Sequence, residues 1–380
     1  MLSPDFFLRE LCYHIKHNRK KEKTMRIIHT ADLHLYSSFG SYKDKEKAKI
    51  RKNETDSCLE RIIEYAGNNQ VKAILISGDM FDKEIVSSKD MAQVCHLIRA
   101  NRNIEFFFVP GNHDMNISLP EMTNFHIFGN KPVFYSIGKV RIAGMAINDN
   151  TLKMDYYDIS FDEDSINILM LHGNIIPGEI RGAEDIPVES LKYKNIDYLA
   201  LGHIHTFREG SIDKRCVYCY PGCMSGRGFD ETGDKGFVLL DIDEETREIR
   251  RHFIKDKTRI IEDIKMDISS CDDIYEAMDM IRNGLQNKDN IIKVRLTGNR
   301  SEELLLDTDF MEERLSKDFF YIKIVDETKT VVDEESYRYD ESLKGEFIRN
   351  VAFHEGDKDE RSEIIRYGLK ALRGEDLYLD

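Results

Sequence analysis

Short apolar runs alternate along the chain with polar or glycine-bearing breaks. Seven runs have strand length: Arg26–Thr30, Ala73–Ser77, Glu105–Val109, Val140–Ile147, Ile166–Leu171, Tyr198–Leu201 and Gly236–Ile242. Between the early runs the period changes to that of a helix. Leu59, Ile62, Ile63 and Ala66 recur at i, i+3, i+4, i+7, and Gly67-Asn68 stops that helix. Met91, Val94, Cys95 and Ile98 repeat the spacing behind Ser87-x-x-Asp90, which reads as a capping box. Alternating strands and helices predict βαβ units with parallel strands. The later strands follow one another more closely, which predicts an antiparallel portion. A mixed two-sheet sandwich flanked by helices accommodates both halves.

A second, smaller α/β unit is expected over residues 258–329. It reads as strand Ile260–Met266, helix Cys271–Gly284, strand Ile291–Thr297, helix Asp309–Lys317 and strand Phe319–Val325. Residues 330–380 read as a polar linker and an acidic amphipathic tail. Phe347, Ile348 and Val351 mark one helix there; Ile364, Ile365, Leu369 and Leu372 mark another. The tail is either a solvated helix pair or a docking element for a partner subunit, and its pattern does not choose between them.

A length of 380 residues fits two or three domains. The longest apolar runs, such as Phe106–Val109 and Ile168–Leu171, fall far short of the ~20 residues needed to span a bilayer, so no membrane segment is expected. With 55 basic against 70 acidic side chains the formal net charge is −15. So acidic a chain is no generic polyanion binder; nucleic acid would have to be held by bound metal, a local basic patch or a basic partner. Seven cysteines at this size are expected to be reduced thiols of a cytoplasmic protein. Cys216, Cys219 and Cys223 have a spacing that suggests zinc, but a strand-and-turn segment with incidental thiols is the preferred reading, since a fourth ligand is not evident. Residues 1–24 carry the basic run Arg19-Lys20-Lys21-Glu22-Lys23 and no signal-peptide core, and Met25 stands directly before a strand. Codons for Lys21-Glu22 can spell a ribosome-binding sequence, so the expectation is a non-native or disordered extension with Met25 as the natural start.

Five polar blocks each follow an apolar strand: Asp32-Leu33-His34, Gly78-Asp79-Met80-Phe81-Asp82, Gly111-Asn112-His113-Asp114, His172-Gly173-Asn174 and Gly202-His203-Ile204-His205. Open α/β sheets place ligands at strand ends, so the five blocks point at one pocket. Carboxylate, imidazole and amide donors without thiolate suit Mn²⁺, Fe²⁺ or Zn²⁺. Seven candidate ligands (Asp32, His34, Asp79, Asn112, His172, His203 and His205) are too many for one ion with an open position. Two ions sharing a bridging carboxylate account for them; such pairs lie ~3.5–4 Å apart and act on phosphoryl groups. Each block alone is weak, because Asn, Asp and Gly also favour turns; their order and their shared place after strands carry the specificity.

The ordered set D-x-H, G-D-x-x-D, G-N-H-D, H and G-H-x-H resembles the calcineurin-like metallophosphoesterase superfamily over about residues 25–250. Within it, Thr30-Ala31-Asp32-Leu33-His34-Leu35, Tyr220-Pro221-Gly222, Gly226-Arg227-Gly228-Phe229-Asp230-Glu231 and Lys235-Gly236-Phe237 are similar to the SbcD-type DNA repair exonucleases. The resemblance implies a four-layer αββα catalytic domain at 25–257, an α/β capping domain at 258–329 and a helical tail at 330–380. It implies that Asp32, His34 and His205 hold one ion, that Asn112, His172 and His203 hold the other, and that Asp79 bridges them. His113 matches the family's catalytic histidine, with Asp114 to orient it. Asp82 departs from relatives that carry histidine there and is expected outside the coordination shell. Two Mn²⁺ ions, 3′→5′ exonuclease action on DNA and a coiled-coil ATPase partner of the SbcC type follow from the same resemblance; a homodimer is left open.

Three features are weaker. Lys43, Lys45, Lys47, Lys49, Arg51 and Lys52 are expected on a loop, as a phosphate grip or as a solvated face interleaved with Asp44 and Glu46. Arg227 is a candidate contact for substrate phosphate. His29, His96 and His126 read as structural or exposed. The alternative functions are a phosphoesterase for small nucleotides or phosphoproteins, and a mainly structural subunit of an ATPase complex, because the metal residues alone do not fix the substrate.

Overall fold

The computed structural model describes residues 24–372 and 374, apart from 41, 43, 83–85, 115–116, 147–158, 180, 183, 302, 332–336 and 355–356. The expected N-terminal extension lies outside the described residues except for Thr24, which opens the first strand. The chain divides into two compact units. The first takes in 1–227 and 234–258, and the second 228–233 and 259–380.

The first unit is built on two six-stranded sheets. One has the order β14-β13-β1-β2-β3-β4, formed by Ile249–Lys255, Gly236–Asp243, Thr24–Thr30, Ala73–Ser77, Glu105–Val109 and Phe125–Ile127. The other has the order β11-β12-β10-β7-β6-β5, formed by Arg208–Ser211, Val217–Tyr220, Tyr198–Gly202, Ile166–His172, Val140–Gly144 and Val133–Ile137. β1 through β4 pair in parallel, as the strand–helix alternation predicts. The antiparallel portion is β1–β13–β14 in one sheet and the β5–β6 and β11–β12 hairpins in the other. β6, β7, β10 and β12 run parallel, so antiparallel pairing among the later strands stops at the sheet margins. Expected strand Val140–Ile147 ends at Gly144, and residue 147 is outside the described set.

Two-fold alternation along the central strands makes three stacked cores. Ile28, Ile74, Ile76, Phe106 and Phe108 face helices Cys58–Asn68 and Ser88–Ala100 through Leu59, Ile62, Val94 and Ile98. Ile27, Leu75, Phe107, Ile168, Met170, Tyr198 and Ala200 fill the space between the sheets. Leu169, Leu171, Leu199 and Leu201 pack outward against Ile186, Leu191 and Ile196, where the short strands β8 (Asn174–Ile176) and β9 (Asp185–Pro187) and helix Val188–Leu191 form the outer layer. Burying each such side chain is worth about 1.5–3 kcal/mol. Four αββα layers result. Both sheets are covered on both faces, which is why their strands read as continuous apolar runs.

The stretch after the first polar block is not a loop. Lys45–Asp56 is a helix capped by Asp44, whose carboxylate accepts from Glu46 N at 2.9 Å and Lys47 N at 3.2 Å. Lys52 pairs with Asp56 at 2.5 Å, and Arg51 is fully buried. Lys43 lies outside the described residues.

The second unit carries a three-stranded parallel sheet of β15 (Ile261–Asp267), β16 (Ile291–Thr297) and β18 (Tyr321–Asp326). Helices Ile274–Gly284 and Thr308–Leu315 close its core through Met278, Ile281, Met311 and Leu315. β17 (Asn299–Ser301) and β19 (Lys329–Val331) add a parallel pair. Helices Leu343–Ala352 and Lys358–Leu372 pack on each other through Val351, Ile365 and Leu369.

Candidate metal centre

The parallel registers align the carboxyl ends of β1, β2 and β3 on one sheet and of β7 and β10 on the other, and all five polar blocks leave from those ends. The loops after β1 and β2 are zipped together: Asp32 N donates to Gly78 O at 3.1 Å, His34 N to Asp79 O at 3.0 Å and Leu35 N to Met80 O at 2.9 Å. At this edge the two sheets also touch, with Ser77 Oγ donating to Ala200 O at 3.1 Å. Glycine is required at the crossing. A Cβ on Gly202 would lie 1.7 Å from Ser77 O, and one on Gly111 would lie 2.2 Å from Asp79 Oδ1. Asp32, His34, Asp79 and His203 have positive φ of 50°, 44°, 48° and 96°. Non-glycine residues there cost of order 1–3 kcal/mol each, strain that clusters at functional sites.

All seven expected ligands are brought together. His34 Nε2 faces His205 Nε2 at 3.2 Å and Asp79 Oδ2 at 3.9 Å. His172 Nε2 lies 3.4 Å from Asp79 Oδ2 and 3.2 Å from Asn112 Oδ1. Asp79 therefore stands between the two histidines. Asp32 accepts His203 N at 2.9 and 3.1 Å and lies 3.9 Å from His172 Nδ1. The His203 ring centre is 5.5 Å from that of His172. Asp32, His34 and His205 offer donor atoms within 4.8 Å of one another, and so do Asp32, Asp79 and His172.

The donor set fits divalent cations. Two buried carboxylates meet imidazoles whose nitrogens point at one another, so lone pairs converge where a cation would sit. The imbalance shows in the protonation equilibria. Burial raises the Asp32 carboxyl above its ordinary value, and the nearby histidines offset this only in part. Burial acts the same way on Asp79, but there the His172 hydrogen bond and charge outweigh it and hold the group low. Burial lowers His34. It also works against protonated His172, yet Asp79 and Asp32 prevail and raise that imidazole to about 9. The remaining nitrogen of His172 is fixed by Ser77 O at 2.9 Å, which aims Nε2 at the pocket.

His113 is half-buried beside the ligands, its ring centre 5.1 Å from that of His34 and its backbone N–H donating to Asp79 Oδ1 at 3.0 Å. Asp114 does not act on that ring directly. Its carboxylate accepts Gly111 N and Met80 N, each at 2.7 Å, and so ties the β2 and β3 loops together. Burial, then the Asp79 charge, lifts it to about 7. Asp82 lies 3.3 Å from His34 Nδ1 and pairs with Arg227. Other neighbours carry no sequence signal of their own. Glu184 stands 3.5 Å from His203 Nε2. Tyr220 and Lys235, in stretches marked only by the resemblance, hold the ligand loops: Tyr220 Oη donates to Gly173 O at 3.0 Å, and buried Lys235 Nζ donates to His205 O at 3.0 Å. Of the histidines read as structural, His29 is buried, His96 is exposed and His126 pairs with Glu105. Cys216 and Cys219 are buried in different cores, so they do not form a zinc cluster.

Two facing sheets that deliver carboxylate, imidazole and amide groups to one edge define an α/β domain of the metallohydrolase class. Residues 25–207 match the family described as calcineurin-like phosphoesterase, and this part of the chain is a calcineurin-like metallophosphoesterase domain. The chain is 24% identical over 365 residues to the DNA double-strand break repair protein Mre11 of Methanosarcina mazei, covering 92% of this chain and 55% of that protein. It is 30% identical over 239 residues to the uncharacterized metallophosphoesterase YhaO of Bacillus subtilis, covering 57% of each. To the D subunit of the SbcCD nuclease of Escherichia coli it is 31% identical over 127 residues, 30% of this chain and 27% of that one. The chain thus spans just over half the length of the first two of these relatives. Among the described residues no helix is long and apolar enough to cross a membrane.

Proposed function

We propose that the chain is a two-metal-dependent nuclease that hydrolyses phosphodiester bonds in DNA, from the 3′ end, during double-strand-break repair. The observation that carries this is the convergence of seven oxygen and nitrogen donors with Asp79 set between His34 and His172. The similarity to proteins named for break repair and for nuclease activity supports DNA as the substrate. Asp32, His34 and His205 would hold one ion; Asn112, His172 and His203 the other; Asp79 both. Mn²⁺ suits this donor set. When bound, such a pair supplies a nucleophile at neutral pH and neutralises charge on the scissile phosphate.

The chain's own residues do the rest. Ser77 O sets the His172 ring, and the His203 amide pins Asp32. His113, half-buried beside the ligands, would hand a proton to the departing sugar oxygen, a poor leaving group as an alkoxide. An ATPase of the SbcC type is the proposed partner and the C-terminal helix pair its proposed dock, in a cytoplasmic complex.

The test is turnover of linear duplex DNA with Mn²⁺, set beside a cyclic nucleotide. DNA is the preferred substrate, and His113→Ala lowers kcat by about 10²–10⁴. Full activity in that variant would remove the proton-transfer role, and preference for the cyclic nucleotide would move the reading to small phosphoesters.

A further inference from the structure

An imidazole that gives one nitrogen to a metal must carry its proton on the other, and what that second nitrogen touches sets the ring. For His172 the second partner is a backbone carbonyl. For His34 it is a side chain. Its Nε2 is turned to His205 and Asp79, whereas Nδ1, buried and without a hydrogen bond of regular geometry, has Asp82 Oδ1 as an ion-pair neighbour at 3.3 Å. The same carboxylate oxygen is gripped by Arg227 Nη1.

We propose that Asp82 and Arg227 form a positioning pair that fixes the ring and tautomer of His34 and so sets the strength of one metal position. The inference rests on the two-metal reading above. Arg227 is itself anchored. Arg51, wholly buried in helix Lys45–Asp56, donates to Gly226 O at 2.6 Å and to Ser225 Oγ at 3.1 Å, holding the glycine-rich segment that presents Arg227. Phe39 covers the Arg51 guanidinium, with its ring centre 5.7 Å away. A continuous chain of polar contacts therefore runs from the helix through residues 225–227 to Asp82 and His34.

Two other roles compete for these residues. His34, Asp82 and His113 offer donor atoms within 4.8 Å of one another, the makings of a third cation site. The guanidinium of Arg227 already occupies the cation's place on Asp82, and a third ion would also need the Nδ1 lone pair of a ring whose Nε2 faces the main pocket. Arg227 could instead contact substrate phosphate directly. That role would leave the metal positions untouched when Arg227 is changed.

Calorimetric titration of the full chain with Mn²⁺ separates these. The wild type takes up two ions. Asp82→Ala and Arg227→Met each weaken one of the two sites by about 10–100-fold and leave the other alone. Asp82→Asn, which keeps an acceptor for the Nδ1 proton, loses less, and Arg227→Lys recovers part of the affinity. Unchanged thermal midpoints in EDTA show that the variants fold, and the KM for DNA at saturating Mn²⁺ stays at the wild-type value. A raised KM with unchanged Mn²⁺ affinity in Arg227→Met overturns the proposal in favour of a substrate contact. Three ions in the wild type and two in Asp82→Ala overturn it in favour of a ligand. A wild type that takes up no ion pair removes the two-metal reading itself, and the inference with it.

Discussion

Not every buried histidine near the centre serves it. His29 is wholly buried on β1, its Nδ1 2.8 Å from Tyr198 Oη and its ring edge-on to that tyrosine. Burial pushes its pKa down to about 3 from 6.5, with a hydrogen bond to the Leu201 backbone only partly opposing. The folded protein therefore keeps His29 neutral down to about pH 3, whereas the unfolded chain protonates it near 6.5. Between those values the unfolded state holds the extra proton, so stability falls as pH drops, by up to about 1.4 kcal/mol per pH unit. His29→Phe should flatten the stability curve by up to one proton's worth between about pH 4 and 6, measured by urea unfolding in EDTA; parallel curves for variant and wild type would refute this. Residues that act through their own chemistry were legible at this scale. Asp32, His34 and His205 each stand directly after a strand, and donor type and position mark them together. The Asp82–Arg227 pair was not legible, because 145 residues separate its members and only the fold joins them.

At the scale of elements, strands buried on both faces announce themselves, and β1, β2, β3, β7, β10 and β13 are readable as apolar runs. Strands at the margins are not: β5 has only exposed and half-buried positions, and β11 is almost wholly solvent-facing. Helix Lys45–Asp56 fails for a different reason. Its buried positions are Arg51 and Thr55, polar residues satisfied by Ser225 and Gly226, so its inward face has no apolar period to detect. The close crossing of the two sheets was equally invisible, since it depends on a missing side chain. Gly202→Ala would place a methyl against Ser77 O, within 2.8 Å of His172 Nδ1 and 2.9 Å of the Ala31 Cβ. Backbone cannot swing aside as a side chain can, so the sheet ends must separate. The variant should lose at least about 1–3 kcal/mol of stability and bind Mn²⁺ more weakly, because His172 moves with the crossing. Thermal unfolding in EDTA and Mn²⁺ titration check both, and wild-type values in both would show that the crossing has slack.

The whole molecule poses an electrostatic problem that its proposed substrate sharpens. A chain of net charge −15 must approach DNA, a dense polyanion, and long-range forces oppose it. The basic stretch after the first polar block gives only partial relief: Arg51 is buried and Lys52 is paired with Asp56, which leaves Lys45 and Lys49 exposed, and outside that stretch Arg227 is turned onto Asp82. If surface cations gripped the backbone, each neutralised phosphate would add a slope of about −0.9 to log K against log salt. In the proposed centre, divalent ions held by the seven ligands would supply the attraction locally, at the scissile phosphate. Duplex binding by the isolated chain should therefore be lost in EDTA, return with Mn²⁺, and show a shallow salt slope of about one or two contacts. Fluorescence anisotropy with labelled duplex at two or more salt concentrations measures each part. Tight binding in EDTA that falls about 10³–10⁵-fold between 50 and 200 mM salt would instead reveal a basic face. The metal pair would then be needed for cleavage but not for capture.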